Sequence, residues 1–276
     1  MSACVPTMTE GGVRPDAIPA PAPLWHLVLR SLAFLPIGVA LTVLRAMLAP
    51  LAPRAAACFL AAAAQTALWG LGVRVAVRGR AMPEHGGPPV LLVANHTSFL
   101  DIPALAASAA VRFVAKTDVA RVPFFRLVAW LGGTLFIARA RARADEERDA
   151  VAAHLAPGFG LVLFPEGGIG GITAPKPYAS SLLAAAFDGD GVARATVQPV
   201  AIRWDAAAGR PTDAAARLWL GWTGKQGLVE NLRRVLGARP TTLTVAFLDP
   251  VLRPGEGGDR KAVTLACRDA TAHAIV

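Results

Sequence analysis

Two long apolar stretches stand side by side near the start of this chain, and the texture changes abruptly after them. Residues 31–53 form the first, interrupted by Pro36 and Arg45; residues 55–73 form the second, uncharged and bounded by Arg54 and Arg74. At ~1.5 Å per residue, a helix as long as the second would reach about 28 Å, close to the ~30 Å hydrocarbon core of a bilayer. Length therefore permits a span. Composition pulls the other way: the second stretch is mostly alanine and contains Gln65, and the first carries a charge that is costly at a bilayer centre. These features favour two helices lying in or dipping into one leaflet, with arginine side chains reaching the headgroups. Two full spans are the second reading, and a buried helical hairpin of a soluble domain is the third.

Charge placement agrees with a membrane partner. The chain has 276 residues, 54% of them hydrophobic, and a net charge of +9. Residues 1–80 hold seven arginines against two acids, and residues 112–148 hold eight basic residues against four acids. The first of these basic segments overlaps the most apolar part of the chain, which suits anionic lipid headgroups. Nucleic acid is not an expected partner, because no basic run is interleaved with aromatics and no zinc-finger or RNP-like motif occurs. Cys4, Cys58 and Cys267 are scattered and odd in number. They suggest neither a disulfide framework nor a zinc site, and they fit a reduced, cytoplasmic-side location. Residues 1–24, rich in Pro, Gly and Ala, read as a disordered tail and not as a signal peptide.

From Arg74 onward, short strand and helix patterns alternate. Strands are expected at 74–78, 90–94, 112–116, 134–139, 160–165, 195–204 and 242–248. Helices are expected at 102–109, 122–131, 145–156, 180–187, 226–236 and 259–272. Residues 205–226 read as an irregular insertion ending in Trp219 and Trp222, which suit either packing or an interfacial anchor. The alternation predicts an α/β fold, a mainly parallel sheet flanked by helices, preceded by a membrane-associated helical pair. The expected organisation is a tail over 1–24, a membrane-associated segment over 25–73 and a globular domain over 74–276.

Within that domain, VLLVANHTSFLD (90–101) carries the sharpest chemical signal. A buried strand runs into a polar turn holding His96, with Asp101 five positions later. On one continuous helix those two would point roughly 140° apart. They can meet only if the chain turns between them, and Asn95, Thr97 and Ser98 supply turn and cap chemistry. Asp101 could then hold one ring nitrogen and leave the other free to take a proton, as a general base must. The competing reading stays open at this point: Ser98-x-x-Asp101 also matches a capping box, and His96 could simply bond a loop carbonyl.

Three further segments matter. In LVLFPEGGIGG (161–171), a buried strand runs into Glu166 and a cluster of glycines whose amides could form an anion-binding concavity; a flexible turn is the alternative. GGTLFIAR (132–139) ends a strand on Arg139, a residue type suited to phosphate, followed by Arg141 and Arg143. VQPVAIRW (197–204) is expected as a sheet strand near the site.

The ordered set NHTSFLD, GGTLFIAR, LFPEGG and VQPVAI resembles the glycerolipid acyltransferase family typified by 1-acylglycerol-3-phosphate acyltransferase. GWTGKQGL (221–228) and TTLTVAFLDPV (241–251) are similar to the bacterial branch that includes lyso-ornithine lipid acyltransferases. The resemblance implies a membrane-associated O-acyltransferase with 1-acyl-sn-glycerol-3-phosphate as the leading acceptor and lyso-ornithine lipid as the alternative. Acyl-acyl carrier protein or acyl-CoA would be the donor, as co-substrate, with no cofactor and no metal. The implied place is the cytoplasmic face of a bacterial inner membrane, among membrane lipids. His96 would deprotonate the acceptor hydroxyl and Asp101 would orient it. Arg139 would contact the headgroup, and Glu166 with the Gly167 backbone would help place the acceptor. The chain departs from the family in two places. Gly168 and Ile169 stand where Thr or Ser and further polar residues usually follow, and Tyr178-Ala179 stands where a Phe-Lys pair is common. A different class, a non-catalytic lipid-binding protein on the same fold, is motivated by those departures.

Overall fold

The computed structural model describes residues 19–82, 87–121, 126, 129, 133–138, 144–155, 158–188, 190–222 and 226–275. Two helices come first, α1 (Leu24–Leu48) and α2 (Pro53–Leu71), and they pack along one another. Pro53 suits the first helical position of α2. Gly72, at φ 72°, ends α2 in the left-handed conformation and turns the chain straight into the first strand. Arg30 of α1 donates from Nε to Gly70 O at 2.6 Å, satisfying a carbonyl at the C-terminal end of α2 that has no intrahelical partner.

The globular domain is an eight-stranded sheet: β1 (Val73–Arg78), β2 (Val90–Ala94), β3 (Val111–Lys116), β4 (Leu135–Ile137), β5 (Gly160–Leu163), β6 (Thr196–Ala207), β7 (Arg210–Pro211) and β8 (Thr241–Phe247). Spatial order is β1-β8-β6-β2-β5-β3-β4, with β7 pairing β6. The run β6-β2-β5-β3-β4 is parallel, and β1 is parallel to β8. The β6–β8 and β6–β7 pairs are antiparallel, so β1, β7 and β8 run against the other five strands. Helices α3 (Asp101–Ser108), α4 (Ala144–His154), α5 (Ala214–Leu220), α6 (Leu228–Gly237) and α7 (Arg260–Ile275) follow, with 3₁₀ turns at Thr117–Arg121 and Leu182–Ala186. The α/β expectation with a mainly parallel sheet holds.

Strand β2 is buried along its whole length, which is why it reads as an unbroken apolar run. Its side chains alternate between two cores. Val90, Leu92 and Ala94 join Leu105, Phe113, Val162, Trp204 and Val245 on one face. Leu91 and Val93 join Leu161, Leu163, Val197 and Cys267 on the other. A parallel strand buried on both faces has one useful end for chemistry: its C-terminal edge, where Asn95 and His96 emerge.

Several expectations need correction. The helix expected at 180–187 is only the short 3₁₀ turn, and most of the helix expected at 122–131 lies outside the described residues. The segment 205–226 is not irregular. Strand β6 continues to Ala207, turns back through Ala208 (φ 50°) and Gly209 (φ 74°) into β7, and α5 follows. Asp213 caps α5 by accepting from Ala216 N at 2.8 Å. Both tryptophans have packing roles. Trp219 lies under the Arg234 guanidinium, and Trp222 meets the Phe99 ring edge-on and donates from Nε1 to Gln226 O. Of the tail expected over 1–24, residues 1–18 are outside the described range. Ala22 is buried, and its N–H donates to Arg233 O on α6 at 2.8 Å.

Helix α1 begins seven residues earlier than the apolar stretch that announces it, and its surroundings are unlike those of the other helices. Leu27 is its one buried residue, whereas Leu29, Leu32, Leu35, Ile37 and Met47 are more than half exposed. An apolar surface that large does not belong in water. Among the described residues, α1 is the one helix long and apolar enough to cross a membrane. Replacing Leu29 and Leu32 by Glu should leave the domain's thermal midpoint nearly unmoved, because neither side chain packs in the core. Binding to sealed vesicles in a flotation assay should fall at least about tenfold, which needs only ~1.4 kcal/mol for the pair. Unchanged flotation would show that α1 is not the membrane-seeking element.

Candidate active site

The turn after β2 is built around one carboxylate. Asp101, at the start of α3, is 0% exposed. Its Oδ2 accepts from Thr97 N (2.6 Å) and Ser98 N (2.9 Å) and lies 2.8 Å from His96 Nδ1. Its Oδ1 accepts from Thr97 Oγ1 at 2.7 Å. A buried carboxylate needs compensation of this kind, since an unpaired charge in a dry site is expensive. The two sequence readings of Asp101 therefore coexist: it reaches back to the Ser98 amide as in a capping box, and it holds the histidine. Ser98 Oγ does not complete the box; it accepts from Leu100 N at 3.3 Å.

With Nδ1 turned to Asp101, the His96 ring keeps Nε2 available. The ring is mostly buried, its side chain 12% exposed, and one face stacks on Phe164 at 4.0 Å between centroids and 16° between planes. Phe164 comes from the end of β5, so neighbouring strand ends clamp the imidazole. Sequence reasoning singled out the FPEG segment for Glu166 and missed this phenyl ring, although its place directly after a buried strand was a usable signal.

Asn95 was read only as a turn residue, and it does more. It is 0% exposed; its Nδ2 donates to Gly171 O (3.1 Å) and Ile202 O (2.9 Å), and its Oδ1 accepts from Ile202 N at 2.8 Å. One side chain thus replaces a missing ladder pair with β6 and anchors the glycine loop. The loop is anchored a second time: Gly170 N and Gly171 N donate to His96 O at 2.9 and 3.1 Å. Those two amides are spent on a backbone carbonyl, so the anion-binding concavity expected from the glycines is not formed by them. Gly171 has no room for a side chain, because a Cβ would lie 2.1 Å from Glu166 Oε1. Trp222 N donates to Thr97 O at 3.0 Å, tying the segment after α5 to the same turn.

Glu166 follows β5 and is turned inward. Neither carboxylate oxygen is exposed, and among the described residues neither makes a hydrogen bond of good geometry, although the His96 and Lys176 backbones lie near. Burial pushes its pKa up to about 7, against the opposing pull of the His96 backbone and the Lys176 ammonium. Gly167 adopts φ 78°, a left-handed conformation suited to glycine, and swings the chain away from the strand. His96, Asp101, Glu166 and the glycine loop are therefore brought together. Arg139, with Arg141 and Arg143, lies outside the described residues.

Comparison with known proteins places this geometry. Residues 74–203 match the family model described as Acyltransferase. A lyso-ornithine lipid O-acyltransferase of Brucella abortus is 36% identical over 183 residues, covering 65% of this chain and 68% of that protein. A 1-acyl-sn-glycerol-3-phosphate acyltransferase of Neisseria gonorrhoeae is 32% identical over 187 residues, covering 67% and 68%. The crystal structure of the 1-acyl-sn-glycerophosphate acyltransferase of Thermotoga maritima has the same fold, with a TM-score of 0.62 at 17% identity over 91% of this chain and 92% of that one.

The buried Glu166 generates a prediction. Its ordinary pKa is 4.5 and the folded value is about 7, so between those pH values the folded chain holds a proton that the unfolded chain has lost. Stability must then fall as pH rises through that window, by up to about 3 kcal/mol. Glu166→Gln keeps the neutral shape. The difference in denaturation midpoint between the two proteins should therefore widen in favour of the variant from pH 5 to pH 8. Parallel curves would refute the desolvation of Glu166.

Proposed function

The chain belongs to the acyltransferase family, and from that premise we propose that His96 and Asp101 carry an acyl transfer from a thioester donor to the hydroxyl of a lysolipid. The observation that supports this most is the His96–Asp101 pair at the end of β2, with Nδ1 engaged and Nε2 unengaged. The acceptor hydroxyl would give its proton to His96 Nε2 while its oxygen attacks the thioester carbonyl carbon. The tetrahedral intermediate would collapse by breaking the C–S bond, and the departing thiolate would take the proton from His96. A lipid ester and a free thiol result. A thioester is already activated, so the protein need supply only a base, positioning and electrostatics. Acyl-acyl carrier protein or acyl-CoA is the donor class that fits. Because both are made in the cytoplasm, the proposed location is the cytoplasmic face of the inner membrane.

For the acceptor we favour lyso-ornithine lipid. Relatives bearing that name reach 36% and 35% identity, and the loop after Glu166 continues as Gly168-Ile169, away from the polar residues usual in the wider family. A 1-acyl-sn-glycerol-3-phosphate acceptor is the second reading, favoured by the complete ordered motif set and by the Neisseria relatives at 32%. Both are lysolipids with an acidic group in the headgroup.

His96→Ala should lower turnover of a labelled acyl thioester with either lysolipid by about 10²–10⁴-fold, the range for losing a general base, with folding and vesicle binding retained. Asp101→Asn should cost a similar factor, because an amide cannot accept all the bonds that fix the ring. Turnover by His96→Ala at wild-type rate would sink the mechanism. Comparing kcat/KM across the two lysolipids decides the acceptor, and lipid binding without turnover by the wild type would favour a non-catalytic role.

A further inference from the structure

The segment after the glycine loop holds a lysine that the mechanism above does not use. Ala179 N donates to Pro165 O at 3.0 Å, which lays residues 176–179 alongside the loop. Lys176, an exposed residue, folds its ammonium back onto that loop and donates from Nζ to Ile169 O at 2.9 Å. Gly170 makes room for it: at φ 149° it sits in a conformation that disfavours side chains, and a Cβ there would lie 2.2 Å from Lys176 Nζ. The next two amides along, at Gly170 and Gly171, are those bonded to His96 O. The ammonium therefore rests on backbone that is bonded to the base itself.

The charge of Lys176 is poorly used within the protein. Among the described residues it forms no ion pair, and its hydrogen bond is to a neutral carbonyl. Glu166 feels the ammonium electrostatically, but among the described residues its two buried carboxylate oxygens make no hydrogen bond of good geometry. An ammonium has three donors, which leaves N–H groups for a ligand. The chain also has Ala179 where the resembled family commonly carries a lysine, so position 179 supplies no cation. Gly168 brings no hydroxyl where the resembled family usually carries Thr or Ser, and Gly170 leaves its Cβ space to the ammonium.

We propose that Lys176 is a specificity-determining residue that binds the acidic group of the acceptor headgroup at the glycine loop. The ligand chemistry is an oxyanion, either the phosphate of a 1-acylglycerol-3-phosphate or the carboxylate of an ornithine headgroup. A lysine binds such groups as a point charge and does not demand one planar geometry. This inference rests on the acyl-transfer reading.

The test is steady-state kinetics of the full chain in mixed micelles, with lysophosphatidic acid, lyso-ornithine lipid and neutral monoacylglycerol as acceptors. For Lys176→Gln, the KM for the preferred oxyanion-bearing acceptor should rise about tenfold relative to that for monoacylglycerol, or ~1.4 kcal/mol of binding, with a smaller change in kcat. Lys176→Arg should recover most of the loss. Whichever of the two lysolipids, phosphate-bearing or carboxylate-bearing, shows the larger shift names the oxyanion. An unchanged KM ratio overturns the proposal while leaving acyl transfer standing. An equal fall in kcat for all three acceptors does the same, because it marks a loop-holding role. Absence of wild-type turnover on every acceptor overturns the acyl-transfer reading instead. Binding of the same lysolipids, followed by tryptophan fluorescence, then reads Lys176: lost discrimination by charge in Lys176→Gln supports the proposal, and retained discrimination overturns it.

Discussion

Everything at the end of β2 depends on one buried carboxylate. Asp101 is fully enclosed and accepts from two backbone amides and a hydroxyl in addition to facing His96 Nδ1. Each of those donors would otherwise be buried without a partner, at ~1–3 kcal/mol apiece. The same four interactions close the turn, start α3 and orient the ring. A carboxylate at Nδ1 favours the tautomer with its proton there, which leaves a lone pair on Nε2. The imidazole is thus set by the device that lets the chain turn at all. Chemistry and folding cannot be separated at this residue, and for that reason an aspartate at this spacing carries more information than either role alone.

Around that centre, anchoring is redundant. Asn95 bonds both directions of the Ile202 backbone, the His96 carbonyl takes two loop amides, Thr97 O takes the Trp222 amide, and Phe164 covers a face of the imidazole. Four separate parts of the chain converge on three consecutive residues, Asn95, His96 and Thr97. Acyl transfer from a thioester asks for a rigid base and little else, because positioning supplies most of the rate where the electrophile is already reactive. Helix α1 stands in contrast. It contributes almost no buried surface to the domain, so its apolar face is free to enter a lipid phase without disturbing the site.

What could be read from residues alone follows from the range of the forces involved. The strands were legible to within two residues at most ends, because burial on both faces writes an apolar run and burial on one writes an alternation. The His96–Asp101 meeting was legible as a possibility, because a five-residue spacing excludes a continuous helix. Contacts between distant segments were not legible. Nothing near Asn95 announces Ile202, more than a hundred positions away, and nothing near Gly171 announces that Glu166 will occupy its Cβ space. Helix α5 was hidden for a local reason: its seven residues are too few to show a helical period, and the turn at Ala208 and Gly209 made the whole segment look irregular. The choice between cap and catalytic partner for Asp101 was posed as an alternative when one oxygen can serve both.

The division between fixed and variable parts explains how one fold can serve different lysolipids. His96 sits on the end of a strand buried on both faces, where a change of side-chain volume is felt throughout two cores. Beyond Glu166, whose carboxylate faces the His96 backbone, the loop to Tyr178 is hydrogen-bonded to this turn through its own backbone: two amides on the His96 carbonyl, and a carbonyl on Asn95. Backbone bonds do not constrain which side chains the loop carries, except where space is absent, as at Gly170 and Gly171. Residues 168, 169 and 176, where we propose headgroup recognition, can therefore change without moving His96. Both departures from the family pattern, at 168–169 and at 178–179, fall in this stretch, while the residues from 95 to 101 keep the pattern. A chain under pressure to accept a different acidic headgroup, yet to keep its chemistry, has this loop as its least costly place to change.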